Sequence, residues 1–205
     1  MHLNRKLMTY TAAAGAAVAA NGAKSTEAAI VYTPGSFVFG SGGTISIDFD
    51  HNGTEEYQLG NRTGPTRVVI LKDNNALSSN AYATTPANGQ PAALAFGTSI
   101  GSNFTFANSY DADLANPGTD GNFSVDPTGN NPQYLGVQFQ LASSGPTYYG
   151  WVGVDITNGA DLSGNVTGYA YDNTGSAINA GAVPEPAALS LLAVGAAFLA
   201  RRRRA

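Results

Sequence analysis

Apolar and polar residues alternate with a period of two along much of the interior of the chain. In residues 44–49 and 134–141 every second residue is apolar, and the alternation returns in residues 148–156. A period of two is typical of β-strands that bury one face. The last two runs flank a turn-forming cluster at residues 143–146, so they predict a β-hairpin.

Shorter apolar runs, separated by Gly, Asn, Pro or Asp, occupy most of the remaining interior. About ten short strands predict one all-β domain over residues 30–182, an antiparallel β-sandwich of jelly-roll-like form. Residues 108–133 are expected to be mostly loop, with a strand at residues 123–125, and a short helix would fit at residues 73–83. The further strand candidates are residues 30–33, 37–39, 57–59, 67–72, 94–100, 104–106 and 166–171.

Composition narrows the class of protein. The 205 residues include no cysteine, which excludes disulfides, thiol catalysis and cysteine-ligated metal centres. Residues 30–182 hold three basic and twelve acidic side chains, a net charge of −9. Binding of nucleic acid through phosphate contacts needs the opposite sign, so no nucleic-acid partner is expected. An acidic surface that keeps an exported protein soluble is the simplest interpretation.

The first residues have the layout of a secretory signal. Arg5 and Lys6 precede an alanine-rich apolar stretch at residues 11–20, with small residues where a signal peptidase would cleave. We therefore predict a signal peptide over residues 1–29. The alternative is a short alanine-rich helix.

The end of the chain, residues 183–205, predicts a short transmembrane helix. A Pro-Glu-Pro motif precedes an apolar stretch at residues 187–200, and four arginines follow. Fourteen helical residues span about 21 Å, less than the roughly 30 Å core of a bilayer. The arginines are expected to stay cytoplasmic, which leaves the domain on the other side of the membrane. Such a span is suited to a transient anchor that is later removed.

This tail resembles the PEP-CTERM sorting signal of bacterial exported proteins. The resemblance implies processing by an exosortase-type membrane protease in a Gram-negative bacterium that makes extracellular polysaccharide. It further implies transient anchoring in the inner membrane and delivery to the cell surface or extracellular matrix. The residues that carry the motif are Pro184, Glu185, Pro186, Arg201, Arg202, Arg203 and Arg204.

A second resemblance covers about 50 residues of the domain. The Tyr-Gly-Trp run at residues 149–151, the Gly-Tyr-Ala-Tyr-Asp run at 168–172 and the Ile-Asn-Ala-Gly close at 178–181 are similar to the exported part of many PEP-CTERM proteins. Asp172 stands where glutamate is usual. The resemblance implies a β-rich domain with no known reaction. Tyr149 and Trp151 are expected to pack in the interior; the alternative is an outer aromatic face that stacks on sugars.

Residues 48–56 carry the clearest candidate chemistry, because oxygen-bearing side chains alternate there and Gly53 allows a sharp turn. This spacing is typical of a strand-flanked calcium loop. An EF-hand is excluded, because Leu59 stands where its bidentate glutamate is needed. The alternative is a tight Asn-Gly turn of a β-hairpin, with no metal. The candidate ligands of Ca²⁺ are Asp48, Asp50, Asn52, Thr54 and Glu56.

Catalysis has little support in the sequence. His51 is the one histidine of residues 30–182, and no Gly-x-Ser-x-Gly motif occurs. A second acidic group, Asp111 and Asp113 with Asp120, is attributed to loop composition. We predict a non-enzymatic surface or matrix protein with a structural or adhesive role in exopolysaccharide. The alternatives are a calcium-dependent glycan-binding module and a polysaccharide-acting hydrolase.

Overall fold

The computed structural model describes residues 30–40, 42–62, 67–72, 79–85, 89–109, 111–116, 121–125, 132–158 and 162–185. Within these ranges there is no helix and every pairing between named strands is antiparallel, so the predicted all-β antiparallel class is confirmed. In chain order the strands are β1 (Ile30–Phe39), β2 (Thr44–Ile47), β3 (Tyr57–Arg62), β4 (Arg67–Lys72), β5 (Ala81–Ala83), β6 (Ala93–Leu94), β7 (Ser99–Ile100), β8 (Phe106–Ala107), β9 (Asp111–Ala115), β10 (Gln133–Phe139), β11 (Tyr148–Asn158), β12 (Leu162–Asp172) and β13 (Ile178–Asn179).

The strands form two larger sheets and one small one. The seven-stranded sheet has the order β1-β12-β11-β10-β5-β8, and β6 also pairs with β10. The four-stranded sheet has the order β2-β3-β4-β9, and β13 pairs with β7. The predicted hairpin is formed by β10 and β11, whose register runs from Gln133↔Val154 to Phe139↔Tyr148.

Side chains from the two larger sheets meet in one hydrophobic cluster. Leu135, Val137 and Phe139, which the alternation places on one face of β10, all lie in it and are fully buried. Ile47 and Leu59 reach the same cluster from the four-stranded sheet. Burial of such a side chain contributes about 1.5–3 kcal/mol to folding. The two sheets therefore share one core, as the sandwich prediction requires.

The opposite face of the seven-stranded sheet is also covered. A second cluster gathers Trp151 with Leu94, Ile100 and Ile178, which come from the short strands β6, β7 and β13. The Trp151 side chain is 3% exposed, and its ring lies 5.9 Å from that of Tyr32 between centroids. The expected interior packing is confirmed for this tryptophan, and an outer sugar-stacking role for it is excluded.

Several strand bounds differ from those predicted. Residues 30–39 form one strand despite Pro34, because β1 is an edge strand and its register shifts between Pro34 and Phe37. The loop expected at residues 108–133 contains β9, which pairs with β4. A short helix was expected at residues 73–83. The described part of this segment begins at residue 79, and its last three residues form strand β5 instead. Residues 94–100 form two short strands rather than one.

The predicted end segments fall largely outside the described residues. The signal peptide, residues 1–29, lies outside them entirely, and so do Pro186, Arg201, Arg202, Arg203 and Arg204 with the apolar stretch before them. In the part of the chain that the structure describes, no helix has the length and hydropathy needed to span a bilayer.

Candidate functional site

The candidate calcium loop connects two paired strands. β2 and β3 are antiparallel neighbours whose ladder closes at Ile47↔Tyr57, and Glu56 N donates a hydrogen bond to Ile47 O at 3.0 Å. The β-hairpin that the metal-free alternative predicted around this loop is confirmed, with β2 and β3 as its two strands. The tight Asn-Gly turn is wrong, because the ladder ends before residue 48 and leaves residues 48–56 as a wide loop.

Phe49 anchors this loop in the core. Its side chain is 1% exposed and stacks on Phe139, with the ring centroids 4.4 Å apart and the planes at 14°. Edge-on contacts to Tyr169 and Tyr171 lie at 5.3 and 5.9 Å. Burial of Phe49 fixes the course of the chain between its two acidic neighbours, Asp48 and Asp50, which are only partly buried.

Backbone and amide groups inside the loop hold its carboxylates. Gly53 N donates to Asp48 Oδ2 at 2.8 Å, and Asn52 donates to both oxygens of Asp50, from its backbone N at 3.2 Å and from Nδ2 at 2.9 Å. Thr54 N donates to Asn52 Oδ1 at 2.7 Å. Gly53 has a φ of 87°, a conformation that glycine adopts without strain. The loop therefore has a defined shape that its own residues maintain.

Glu56 is the buried acid of the loop. Its side chain is 4% exposed, and Oε2 accepts a hydrogen bond from Phe49 N at 2.9 Å. Burial raises its pKa from 4.5 to about 7; the Phe49 N–H opposes this shift, and the charges of Asp50 and Asp48 add to it. At neutral pH the loop thus holds a carboxyl group that is partly protonated.

The raised pKa of Glu56 makes the stability of the domain depend on pH. The folded chain binds this proton more tightly than the unfolded chain, so the free energy of unfolding falls as the pH rises from about 4.5 to about 7. A shift of this size corresponds to about 3 kcal/mol. In Glu56→Gln we expect this fall to disappear, measured by urea denaturation at pH 5 and pH 8.

Glu55→Gln is the matched control, because it removes one carboxyl from the neighbouring residue. It is expected to keep the pH dependence of the unmodified protein. Identical pH dependence in Glu56→Gln and the unmodified protein would contradict the assigned role of Glu56.

The structure brings the five candidate ligands into one loop, but most of their oxygens already accept hydrogen bonds within it. Among the remaining oxygens, Asp48 Oδ1 is buried and has no hydrogen-bond partner among the described residues. Within that same part of the chain, no three side chains of the types His, Cys, Asp and Glu are grouped closely enough to hold a metal ion. A calcium ion would therefore also need amide or backbone oxygens of the loop.

Loop composition was the wrong explanation for Asp111 and Asp113, which lie on strand β9 and pair with the guanidinium of Arg67. The distances are 3.1 Å from Nη2 to Asp111 Oδ2 and 2.5 Å from Nη1 to Asp113 Oδ1. Burial lowers the pKa of Arg67, but the hydrogen bonds and charges of Asp113 and Asp111 together outweigh burial and raise the pKa above its usual value. The positive charge that these two carboxylates contact is therefore supplied by Arg67. Asp120 lies outside the described residues.

His51 is engaged at the edge of the loop. Its Nε2 lies 2.9 Å from Thr33 Oγ1 on β1, and its backbone φ is 57°. The imidazole therefore links the loop to the neighbouring strand, which is a positioning contact.

The chain leaves the domain beside Trp151. Trp151 Nε1 donates to Ala182 O at 3.1 Å, and Pro184 and Glu185 follow as exposed residues without regular structure. The described all-β domain thus ends in an exposed C-terminal segment.

The signal itself is recognised by comparison with protein families. The family model of the PEP-CTERM protein-sorting motif matches residues 182–204. The chain therefore carries a PEP-CTERM sorting motif, which implies an exported protein processed by an exosortase, a membrane protein. No curated protein and no solved structure matches the chain.

Proposed function

We propose that this protein is a non-enzymatic component of the cell surface or extracellular matrix, with a structural or adhesive role in exopolysaccharide. The observation that carries the proposal is the sorting motif at residues 182–204. A protein with this motif is processed by an exosortase during export, so the domain would be delivered outside the cell. The host would be a Gram-negative bacterium, and the apolar helix of the tail would anchor the chain transiently in the inner membrane.

The chemistry of the described residues supports a scaffold rather than an enzyme. His51 contacts Thr33, and Arg67 pairs with two acids, so these groups serve to hold strands and loops together. The sequence contains no cysteine, so folding outside the cell needs no disulfide. A β-sandwich with a net charge of −9 over residues 30–182 would stay soluble in a hydrated matrix.

Fractionation of the matrix tests this role. We expect the protein to sediment with the exopolysaccharide and to be released when the polysaccharide is digested enzymatically. The purified protein is expected to leave the same polysaccharide uncleaved. Protein that stays in the cytosol, or that is indifferent to the digestion, would contradict the proposal.

A calcium-dependent glycan-binding module is the second candidate, and it rests on Asp48. A buried carboxylate oxygen without a partner is unfavourable unless a cation or a water occupies the space beside it. The charges of Asp50 and Asp48 both contribute to the raised pKa of Glu56, so a cation bound beside Asp48 would relieve this repulsion. Calcium bound to these carboxylates could in turn coordinate sugar hydroxyls.

The calcium candidate predicts a rise in melting temperature. A ligand that binds the folded state at 100 times its Kd stabilises it by about 2.7 kcal/mol. We expect Ca²⁺ at millimolar concentration to raise the Tm of the full-length protein, and Asp50→Ala to abolish the rise. Glu55→Ala, which removes a neighbouring carboxylate, should keep it. An unchanged Tm in calcium would eliminate this candidate.

A further inference from the structure

The point where the chain leaves the domain is fixed. Ala180 N donates to Thr98 O at 2.8 Å, and Ala182 N donates to Asn179 O at 2.9 Å. The Ala182 carbonyl accepts the hydrogen bond from the buried Trp151. The apolar stretch of the tail begins only five residues later, at Ala187. An extended chain of that length spans at most about 17 Å, so the surface around Ala182 must lie close to any membrane that holds the tail.

Exposed apolar side chains surround this exit point. Among the described residues the exposed large hydrophobic side chains are Phe96 at 74%, Val38 at 72% and Val183 at 46%, and two of these three are at the exit. The Phe96 ring lies 6.2 Å from that of Tyr134 between centroids. A Cβ placed on Gly181 would approach Phe96 Cδ2 to 2.6 Å and Tyr134 Cζ to 2.8 Å, so both rings pack directly on the last turn.

The segments that form this face carry no charge. Residues 89–109 and 173–184 contain no Asp, Glu, Lys or Arg, although residues 30–182 carry a net charge of −9. The carboxylate next to the second segment, Asp172, is 2% exposed and accepts hydrogen bonds from Thr174 N and Ser176 N. The acid of the chain nearest to the exit is then Glu185, which is exposed two residues after Val183, and its carboxylate would stay among the hydrated headgroups while the uncharged segments approach the lipid.

We propose that Phe96, Tyr134 and Val183 form a lipid-contacting face that lies in the headgroup region of the bilayer while the C-terminal helix is inserted. This inference rests on the proposed membrane insertion of the tail. Aromatic rings with apolar bodies are favoured at this depth. The lipid headgroups would be zwitterionic, because the acidic domain is repelled by an anionic surface.

The energies fit a contact that exists only in the tethered state. Burial of one phenylalanine contributes about 1.5–3 kcal/mol, too little to hold a free domain on a membrane. The inserted tail raises the effective concentration of the face at the bilayer to the order of millimolar, which makes the contact intramolecular. Removal of the tail would then release the face together with the domain.

Site-specific quenching tests the proposal. The chain has no cysteine, so a single fluorophore can be attached through Ala95→Cys, which is exposed beside Phe96 and leaves the face intact, or, as the control, through Val38→Cys. Val38 is as exposed as Phe96. It lies on β1 six residues after Tyr32, whose ring is beside Trp151 at the exit. Six residues of a strand span about 20 Å, so position 38 is far from the exit. The full-length, uncleaved protein is inserted in phosphatidylcholine vesicles that contain nitroxide-labelled lipid.

We expect quenching at position 95 to exceed that at position 38 by at least about twofold, because the face would be buried about 5–10 Å into the boundary between headgroups and acyl chains. Equal quenching in vesicles that carry the protein through flotation would overturn this inference alone, and would indicate a face for another occupant, such as the protease. Failure of the protein to float with the vesicles would overturn the membrane insertion of the tail as well.

Discussion

Replacement of Phe49 with alanine is expected to lower the free energy of unfolding by about 3–5 kcal/mol. The side chain is 1% exposed and stacks on Phe139, with further ring contacts to Tyr169 and Tyr171. Its removal leaves a cavity between the two sheets, because the surrounding rings belong to strands that cannot collapse inward. Urea denaturation at constant pH measures the loss.

Phe96→Ala is the matched control for this substitution, since it removes the same side chain from an exposed position. We expect a change within about 0.5 kcal/mol there. Similar losses in the two variants would show that Phe49 does not anchor the loop in a shared core. A large loss in Phe49→Ala alone would support the packing of both sheets on one cluster.

Neutralising the terminal arginines is expected to reduce C-terminal processing at least tenfold. Each arginine placed at the bilayer centre costs about 2.5–3.5 kcal/mol, so the four oppose movement of the short apolar stretch through the membrane by on the order of 10 kcal/mol. Without them the stretch would no longer be held where the protease can reach it. Quantitative mass spectrometry of cell fractions measures the processed share. The variant changes Arg201, Arg202, Arg203 and Arg204 to glutamine.

A variant with lysine at the same four positions separates charge from recognition. It keeps the positive charge, so we expect it to stay anchored in the membrane. Normal processing of the glutamine variant would contradict the role assigned to the charge cluster. Processing that fails in the lysine variant, in a protein that remains anchored, would show that the guanidinium groups themselves are recognised.

Period-two alternation predicted the strands that bury one face against the shared core. The prediction was wrong where amino-acid composition was given more weight than the alternation. β10 and β11 were identified correctly because Leu135 and Val137 repeat on one face. β9 follows the same rule, since Ala112 and Leu114 are buried in the core and aspartates occupy the alternate positions. The high content of Asp, Asn, Gly and Pro in residues 108–133, the region around β9, concealed a pattern that was present.

The second layer could not be predicted from periodicity. β6, β7, β8 and β13 are two residues long, too short for any period to be detected. Their position depends on pairing with distant strands, such as Ile178 with Ile100. For the same reason, the sequence left two alternatives open for Trp151, which this layer covers.

In the candidate loop, too, features set by neighbouring residues could be predicted, and features set by contacts with distant strands could not. Spacing alone brought Asp48, Asp50 and Glu56 together in one loop. It could not indicate that Glu56 is buried with a raised pKa, because that burial depends on the insertion of Phe49 between rings from β10 and β12. The sorting motif, in contrast, is a linear signal, and the sequence was sufficient to recognise it.

The mass of the mature protein in the extracellular fraction is the most direct test of the central claim, which is export followed by removal of the tail. We predict a species that begins after the signal segment at residues 1–29 and lacks Arg201, Arg202, Arg203 and Arg204. An intact chain that keeps both ends and is found free in the cytosol would contradict the account.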